Sequence, residues 1–407
     1  MTSWTLSWNG LRTVVELELK QRVRSRRWIW ALVGWFVVIG LISWLIVAAT
    51  DQVRGGGASD YSAGAMAFGM ITYFVLGMGL LIAPAFTATS INGDRSAGTL
   101  ATLQATRLSA LELATGKLVA AWLAAAVFLV VALPFIAWSM LLGNISFWQV
   151  LVTFAVVFAE VAVVCAIGLG WSALVSRPAG STFLTYFSVV VLTAITVIVV
   201  GMLALLVTRP EPVRVWGLNP ADDAAYQLEV ERYWQEHPEG GDEPPPPVTK
   251  CTWYNDTESV SHLDQIWWIL AANPFVVVAD AAPLPPGSAA NLSDYRQLNS
   301  DPLALLRWGV RRMAIPPALE RDRCTPLYDS LPGYTVEWDN GGTPRVYTSG
   351  GTLVNVSPVQ VQPVNVENPI WPWGLGANVL LGAVFFWVAV RRLSVPYGTL
   401  PSGTRVA

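Results

Sequence analysis

The sequence is poor in charge. Asp, Glu, Lys and Arg make up 13% of its 407 residues, about half the share an ordinary soluble protein carries. That composition excludes a disordered chain, a nucleic-acid-binding module and an average cytosolic enzyme. Histidine is scarcer still. There are two, His237 and His262, and both fall in one late segment. No imidazole remains in the apolar stretches for zinc ligation or base catalysis. The chain also lacks a G-x-x-x-x-G-K-[ST] loop. Its nearest string, Gly116-Lys117-Leu118, has no hydroxyl residue and leads into an apolar run. Nothing here can cradle nucleotide phosphates or hold their Mg²⁺.

What the chain has in quantity is apolar surface. Hydrophobic residues make up 53%, with 20 Trp, and mean hydropathy is +0.47. A membrane-crossing helix needs about 20 apolar residues. Six stretches qualify: 28–49, 64–87, 117–142, 147–174, 181–207 and 369–390, here called spans one to six. Pro134 is expected to kink span three, and most span-one and span-six Trp are expected to mark interface belts. The fold class this implies is an all-α integral membrane bundle of six transmembrane helices with a mixed α+β extracytoplasmic insertion between helices five and six.

Lys and Arg placement sets the expected orientation. Arg12, Lys20, Arg22, Arg24, Arg26 and Arg27 precede span one, Arg95, Arg107 and Lys117 follow span two, and Arg391 and Arg392 close span six. Both termini are therefore expected in the cytoplasm of a multi-pass cell-membrane protein. The first apolar run is too long for a cleavable signal and is expected to stay as a helix. The resulting layout is 1–27, a cytoplasmic amphipathic connecting helix; 28–207, spans one to five with a cytoplasmic loop at 90–116; 208–368, an extracytoplasmic domain; 369–392, span six; and 393–407, a cytoplasmic tail. In the first segment, Glu16 with Lys20 and Glu18 with Arg22 stand at i, i+4 in the favourable order. A basic amphipathic helix of this kind lies in the inner-leaflet interface, among membrane lipids.

The insertion holds 21 acidic residues against 11 basic ones, as a solvated external domain would. His237 to Val248 reads as an extended linker. Leu263 to Ala279 is apolar but broken at Asn273-Pro274. It is expected to lie on the membrane surface or on the external ends of the spans. Tyr334 to Trp338 and Pro344 to Val356, with Gly-Gly turns at 341–342 and 350–351, read as short strands. Cys165 falls in a span, and Cys251 and Cys324 fall outside. The outer compartment permits a disulfide between the latter two, the alternative being two thiols too far apart to bond.

Glu160 is the one acid within span four, and an intramembrane carboxylate is costly enough to suggest a role. It could hydrogen-bond inside the bundle to Ser181, Thr185 or Ser188 of span five. It could line a transport path and attract a cation, or it could move a proton.

The loop after span two reads Ser90-Ile-Asn-Gly-Asp-Arg-Ser-Ala-Gly-Thr-Leu-Ala-Thr-Leu-Gln-Ala-Thr-Arg-Leu-Ser-Ala-Leu-Glu-Leu-Ala-Thr-Gly-Lys117. Thr99 to Gln104 is expected to form a short helix. Ser109 is expected to cap the next one, with Glu112 at the third helical position as in a capping box. A short helix held between two spans can dock into a groove on a soluble partner. This loop resembles that of the ABC-2 type ABC transporter permeases in Asp94, Arg95, Gly98, Thr99, Leu100, Leu103, Thr106, Leu108, Ser109, Glu112, Gly116 and Lys117. Asp94 stands where that family more often has Glu, and Arg107 where it often has Pro. The resemblance implies that residues 94–112 couple the chain to a separate ABC ATPase subunit, which carries the ATP and Mg²⁺, and that a second permease subunit completes the transporter. It also implies export of a drug, lipid or polysaccharide, with no catalytic residue, metal or cofactor on this chain. Two rivals stand beside it. One is a membrane anchor for an external binding or assembly domain controlled by an ATPase. The other is a membrane enzyme, for which no paired catalytic groups are evident.

Overall fold

The computed structural model describes residues 6–23, 26–55, 63–98, 108–143, 145–236, 251–283, 301–325, 329, 334–338, 344–348, 350–356, 358 and 368–394. Among the described residues, six helices are long and apolar enough to cross a membrane. Span one occupies Trp28–Thr50 within a helix Arg26–Gly55. The others are Ala63–Thr87, Ala110–Leu141, Phe147–Leu174, Pro178–Leu206 and Trp371–Leu393. Span three begins seven residues before the apolar run because Ser109 caps it. It runs as one helix through Pro134. Span five contains a π turn at Val191–Ile195.

The chain divides into two compact units. The first joins the spans up to Val200 with Trp267–Arg311 and the segment from Pro369 onward. Its core is mostly aliphatic, with Ile39, Leu76, Leu80, Ala121, Val157 and Ala132 buried beside the aromatic Phe68. Small residues let helices meet closely. A Cβ on Gly168 would fall 2.1 Å from Thr87 Oγ1, and one on Gly170 would fall 2.6 Å from Phe385. Trp35 is not an interface residue. It is buried in this core, where its indole donates to Phe128 O at 2.8 Å. Trp30, Trp44, Trp373 and Trp387 are exposed, as belt residues are.

Of the two placements expected for the apolar stretch after Leu263, packing on the spans is the one found, and the stretch is built into this unit. It forms two short helices, Trp267–Ala271 and Pro274–Ala281, which meet at Asn273. Every residue of the second except Phe275 is buried, and the helix packs against spans four and six and the π turn of span five. A third helix, Pro302–Met313, follows. Its Arg307 donates to the carbonyls of Ala279 and Ala282 at the end of the second. Burial, then the neighbouring Arg311 charge, brings the Arg307 pKa down to about 10. Burial also pushes the Asp301 carboxyl up. Non-helical backbone among spans is tolerated where protein encloses it, and the apolar character of this stretch serves that enclosure.

In the second unit, 201–266 with 312–368, the described residues form two three-stranded sheets. β1 (Thr208–Gly217) is central in the first, antiparallel to β2 (Thr252–Ser261) and parallel to β3 (Glu320–Asp322). Val213, Val215 and Val260 form its dry face. In the second sheet β5 (Pro344–Thr348) lies between β4 (Tyr334–Trp338) and β6 (Leu353–Val356), all antiparallel. Gly351 turns β5 into β6 at φ +78°, a region glycine enters without cost. Gly341–342 and the expected linker His237 to Val248 lie outside the described residues. An acidic helix, Pro220–Glu236, was not expected.

Cys251 and Cys324 are bonded, with Cα atoms 6.2 Å apart, and pack with Val346, Trp216 and Val336. The bridge closes a loop of 73 residues, worth roughly 4 kcal/mol by chain entropy. Reduction, or a Cys251→Ser, Cys324→Ser variant, is expected to make the second unit protease-sensitive while the spans stay resistant. Limited proteolysis with and without reductant checks this.

Candidate coupling site

At the end of the bundle where spans two, four and six finish, five segments are knotted together. The N-terminal helix is Trp8–Val23. Ser7 caps it, its Oγ accepting from Gly10 N at 3.1 Å. The N–H of Ser7 donates to Glu112 Oε1 at 2.7 Å. The other oxygen of Glu112 accepts from Ser109 N at 2.8 Å, and Ser109 Oγ accepts from Glu112 N at 3.0 Å. This is the expected capping box, with one addition: a single buried carboxylate closes the starts of two helices. Gly10 and Gly116 make the approach possible. A Cβ on Gly10 would fall 2.8 Å from the Glu112 carboxyl carbon, and one on Gly116 would fall 2.5 Å from Val14.

Asp94 lies on a short helix, Asn92–Ser96, just past span two. The turn before it is moored to span four. Ser172 Oγ accepts from Ile91 N at 2.9 Å and Asn92 N at 3.2 Å, and Asn92 Nδ2 donates to Val175 O. Lys117 lies between these parts. Its ammonium is 2.6 Å from Glu18 of the N-terminal helix and 2.6 Å from Asp94, with the lysine side chain 2% exposed. An ammonium taken out of water needs such partners. Around the three charges pack Val14, Ile91, Leu113, Leu169, Val390 and Leu393, with Leu108 half-buried at the edge. Arg95 is half-buried, Ser96 to Gly98 are exposed, and Gly98 takes φ +70° where the short helix ends. Thr99, Leu100, Leu103 and Thr106, and the helix expected at Thr99 to Gln104, lie outside the described residues. Of the motif, therefore, Asp94, Ser109, Glu112, Gly116 and Lys117 are brought together. The sequence spacing pairs Glu18 with Arg22, and the structure adds its reach to Lys117, which the spacing does not show. Glu18 and Lys117 are 99 residues apart, and nothing local in the sequence joins them.

Glu160 lies elsewhere, halfway along span four, and is fully buried. Its partner is not on span five. Asn378 of span six donates to both Glu160 oxygens at 3.1 Å. The span-five hydroxyls are committed otherwise: Ser181 to Ala88 O, Thr185 to Ser181 O, and Ser188 to Leu184 O. Span five turns those hydroxyls toward its own backbone or toward the turn after span two.

Six spans, an enclosed broken segment and a knotted end define a multi-pass membrane protein whose described residues hold no cluster of metal-ligand type. A family model, ABC-2 family transporter protein, matches residues 12–234. That is more than half of the chain, and the chain belongs to this family. It is a membrane component of a transporter, of a kind generally not catalytic itself, and membership implies association with an ABC ATPase. No curated protein matches the chain.

Proposed function

We propose that this chain is the permease subunit of an ATP-driven exporter, moving an amphipathic, lipid-like or drug-like substrate across the cytoplasmic membrane. A separate ATPase binds ATP and Mg²⁺ and docks on residues 94–112. A second permease, a copy or a homologue, completes the pathway. Both termini lie in the cytoplasm and 208–368 faces outward. The family resemblance is what favours export over import. The observation that carries this reading is the Glu18–Lys117–Asp94 cluster. It ties the turn before Gly98 and the N-terminal helix to span three, so a pull on the loop reaches the bundle as one piece. Packed helices respond to such a pull by shifting between discrete arrangements, and a substrate that binds those arrangements unequally is moved. Glu160 enters as a residue that shapes the path through Asn378, not as a ligand for substrate.

The test is co-purification of the full chain from its native membrane in mild detergent. A stoichiometric P-loop ATPase is expected, and deletion of Gly98 to Ser109 is expected to remove it. A chain that purifies with no ATPase would instead make the anchor for an external binding domain the leading account.

A further inference from the structure

We propose that Asn378 and Glu160 are positioning residues for transport: together they hold the helix break at Ala272–Asn273, and the segment 267–281 moves when they part. The proposal rests on the permease reading for its link to transport, but not for the hold itself. Asn378 is buried, and its amide nitrogen donates to Glu160 Oε1, to Glu160 Oε2 and to Ala272 O, each at 3.1 Å. An amide nitrogen has two hydrogens, so the two residues partnered are one carboxyl and one carbonyl. Ala272 follows the last residue of the helix Trp267–Ala271, where carbonyls have no helical partner. Asn378 supplies that partner. Glu160 acts through it. Ala272 O can only accept, so the nitrogen end of the amide must face it, and an ionised Glu160 favours the same orientation by accepting the other hydrogen.

The next residue is held by span five. Asn273 Nδ2 donates to Thr193 O at 2.7 Å and to Thr196 Oγ1 at 2.9 Å, while its Oδ1 accepts from Phe275 N. Thr193 lies in the π turn, and such turns leave carbonyls to be satisfied from outside the helix. Span six also fits the break closely: a Cβ on Gly374 would fall 1.9 Å from Ala271 O. Two consecutive residues are thus held directly from spans six and five, and span four joins the network through the Glu160–Asn378 bond. A buried polar network is stable when every member is satisfied and costly when half open. It therefore switches as a unit, so separation of span four from span six releases the segment at once.

Hydrogen exchange of residues 267–281 in the detergent-solubilised full chain tests the hold. Asn378→Leu is expected to speed exchange there roughly ten- to hundredfold, as a buried unpaired carbonyl implies. Glu160→Gln, which keeps an acceptor for Asn378, is expected to stay near wild type. The Glu160→Gln, Asn378→Asp double variant restores a bond between spans four and six but offers Ala272 O no donor, so its exchange should remain fast. Slow exchange in the double variant would reduce the pair to a simple tie between two spans and overturn the proposal, as would unchanged exchange in Asn378→Leu. On the complex with its ATPase, ATP with vanadate is expected to speed exchange at 267–281 in wild type. No change in a complex that hydrolyses ATP would overturn the link to transport. Absence of an ATPase would overturn the permease reading and leave the variant series to decide the hold.

Discussion

Replacing Lys117 with methionine is expected to release the N-terminal helix and disconnect the loop from the bundle. The ammonium is buried between Glu18 and Asp94 at 2.6 Å from each. Methionine fills similar space but leaves two carboxylates facing each other with the cation removed. Breaking a buried ion pair in this way costs about 3–5 kcal/mol. The acids are partly exposed, 15% and 28%, and can turn toward water, so the lower end is expected. Lys117→Arg keeps the charge and should cost less. A Glu18→Gln, Lys117→Met double variant should recover part of the loss, because one of the stranded charges is gone. The readouts are the unfolding midpoint in detergent and protease cleavage within residues 8–23. A Lys117→Met chain as stable as wild type, with its N-terminal helix still protected, would show that the cluster holds nothing.

Loss of the Asp280 carboxylate should be as severe at the other end of the bundle. One oxygen accepts from Ile370 N and Trp371 N, both at 2.7 Å, and the other accepts from Arg311 Nε. Its side chain is fully enclosed. A helix start leaves N–H groups without partners, and span six takes its partner from the segment packed beside it. Asp280→Ala would leave two N–H groups and a guanidinium buried without their acceptor, a cost of about 3–5 kcal/mol. Asp280→Asn keeps an acceptor without the charge and should fall between. Adding Arg311→Gln to Asp280→Asn should recover stability. Trypsin cleavage at Arg307 and Arg311 in the full chain reports the loosening, which is expected to rank Asp280→Ala above Asp280→Asn. Equal resistance in both variants would mean that span six begins without this cap.

Spans were legible because their signal is local. Apolar length alone places span four at 147–174, matching Phe147–Leu174, and the Ser109–Glu112 spacing announces the start of the helix that carries span three. What was not legible depends on partners far along the chain. Asn378 lies 218 residues from Glu160, and nothing near either names the other. The break at Asn273-Pro274 was readable, since Asn caps and Pro opens a helix. Its enclosure was not, because an apolar face suits a membrane surface and a protein interior equally. Trp35 illustrates the same limit: composition cannot tell a belt tryptophan from one whose indole finds a buried carbonyl. β1 and β2 are hard to read in the sequence because few of their residues are apolar and Pro210 and Pro212 interrupt the first, so the hydrophobic alternation is confined to a short stretch around Val213 and Val215. In the loop, the motif named Asp94 and Lys117 separately. Only folding brings Glu18 to the same point.

The most direct measurement places a photocrosslinking amino acid at Ser96, exposed on the short helix next to Asp94, in the full chain in its native membrane. A second probe at Glu229, exposed on the acidic helix of the insertion, serves as the comparison. The account predicts that the Ser96 probe captures an ABC ATPase and the Glu229 probe does not. An ATPase captured at Glu229 and not at Ser96 would contradict both the coupling site and the orientation proposed for the chain.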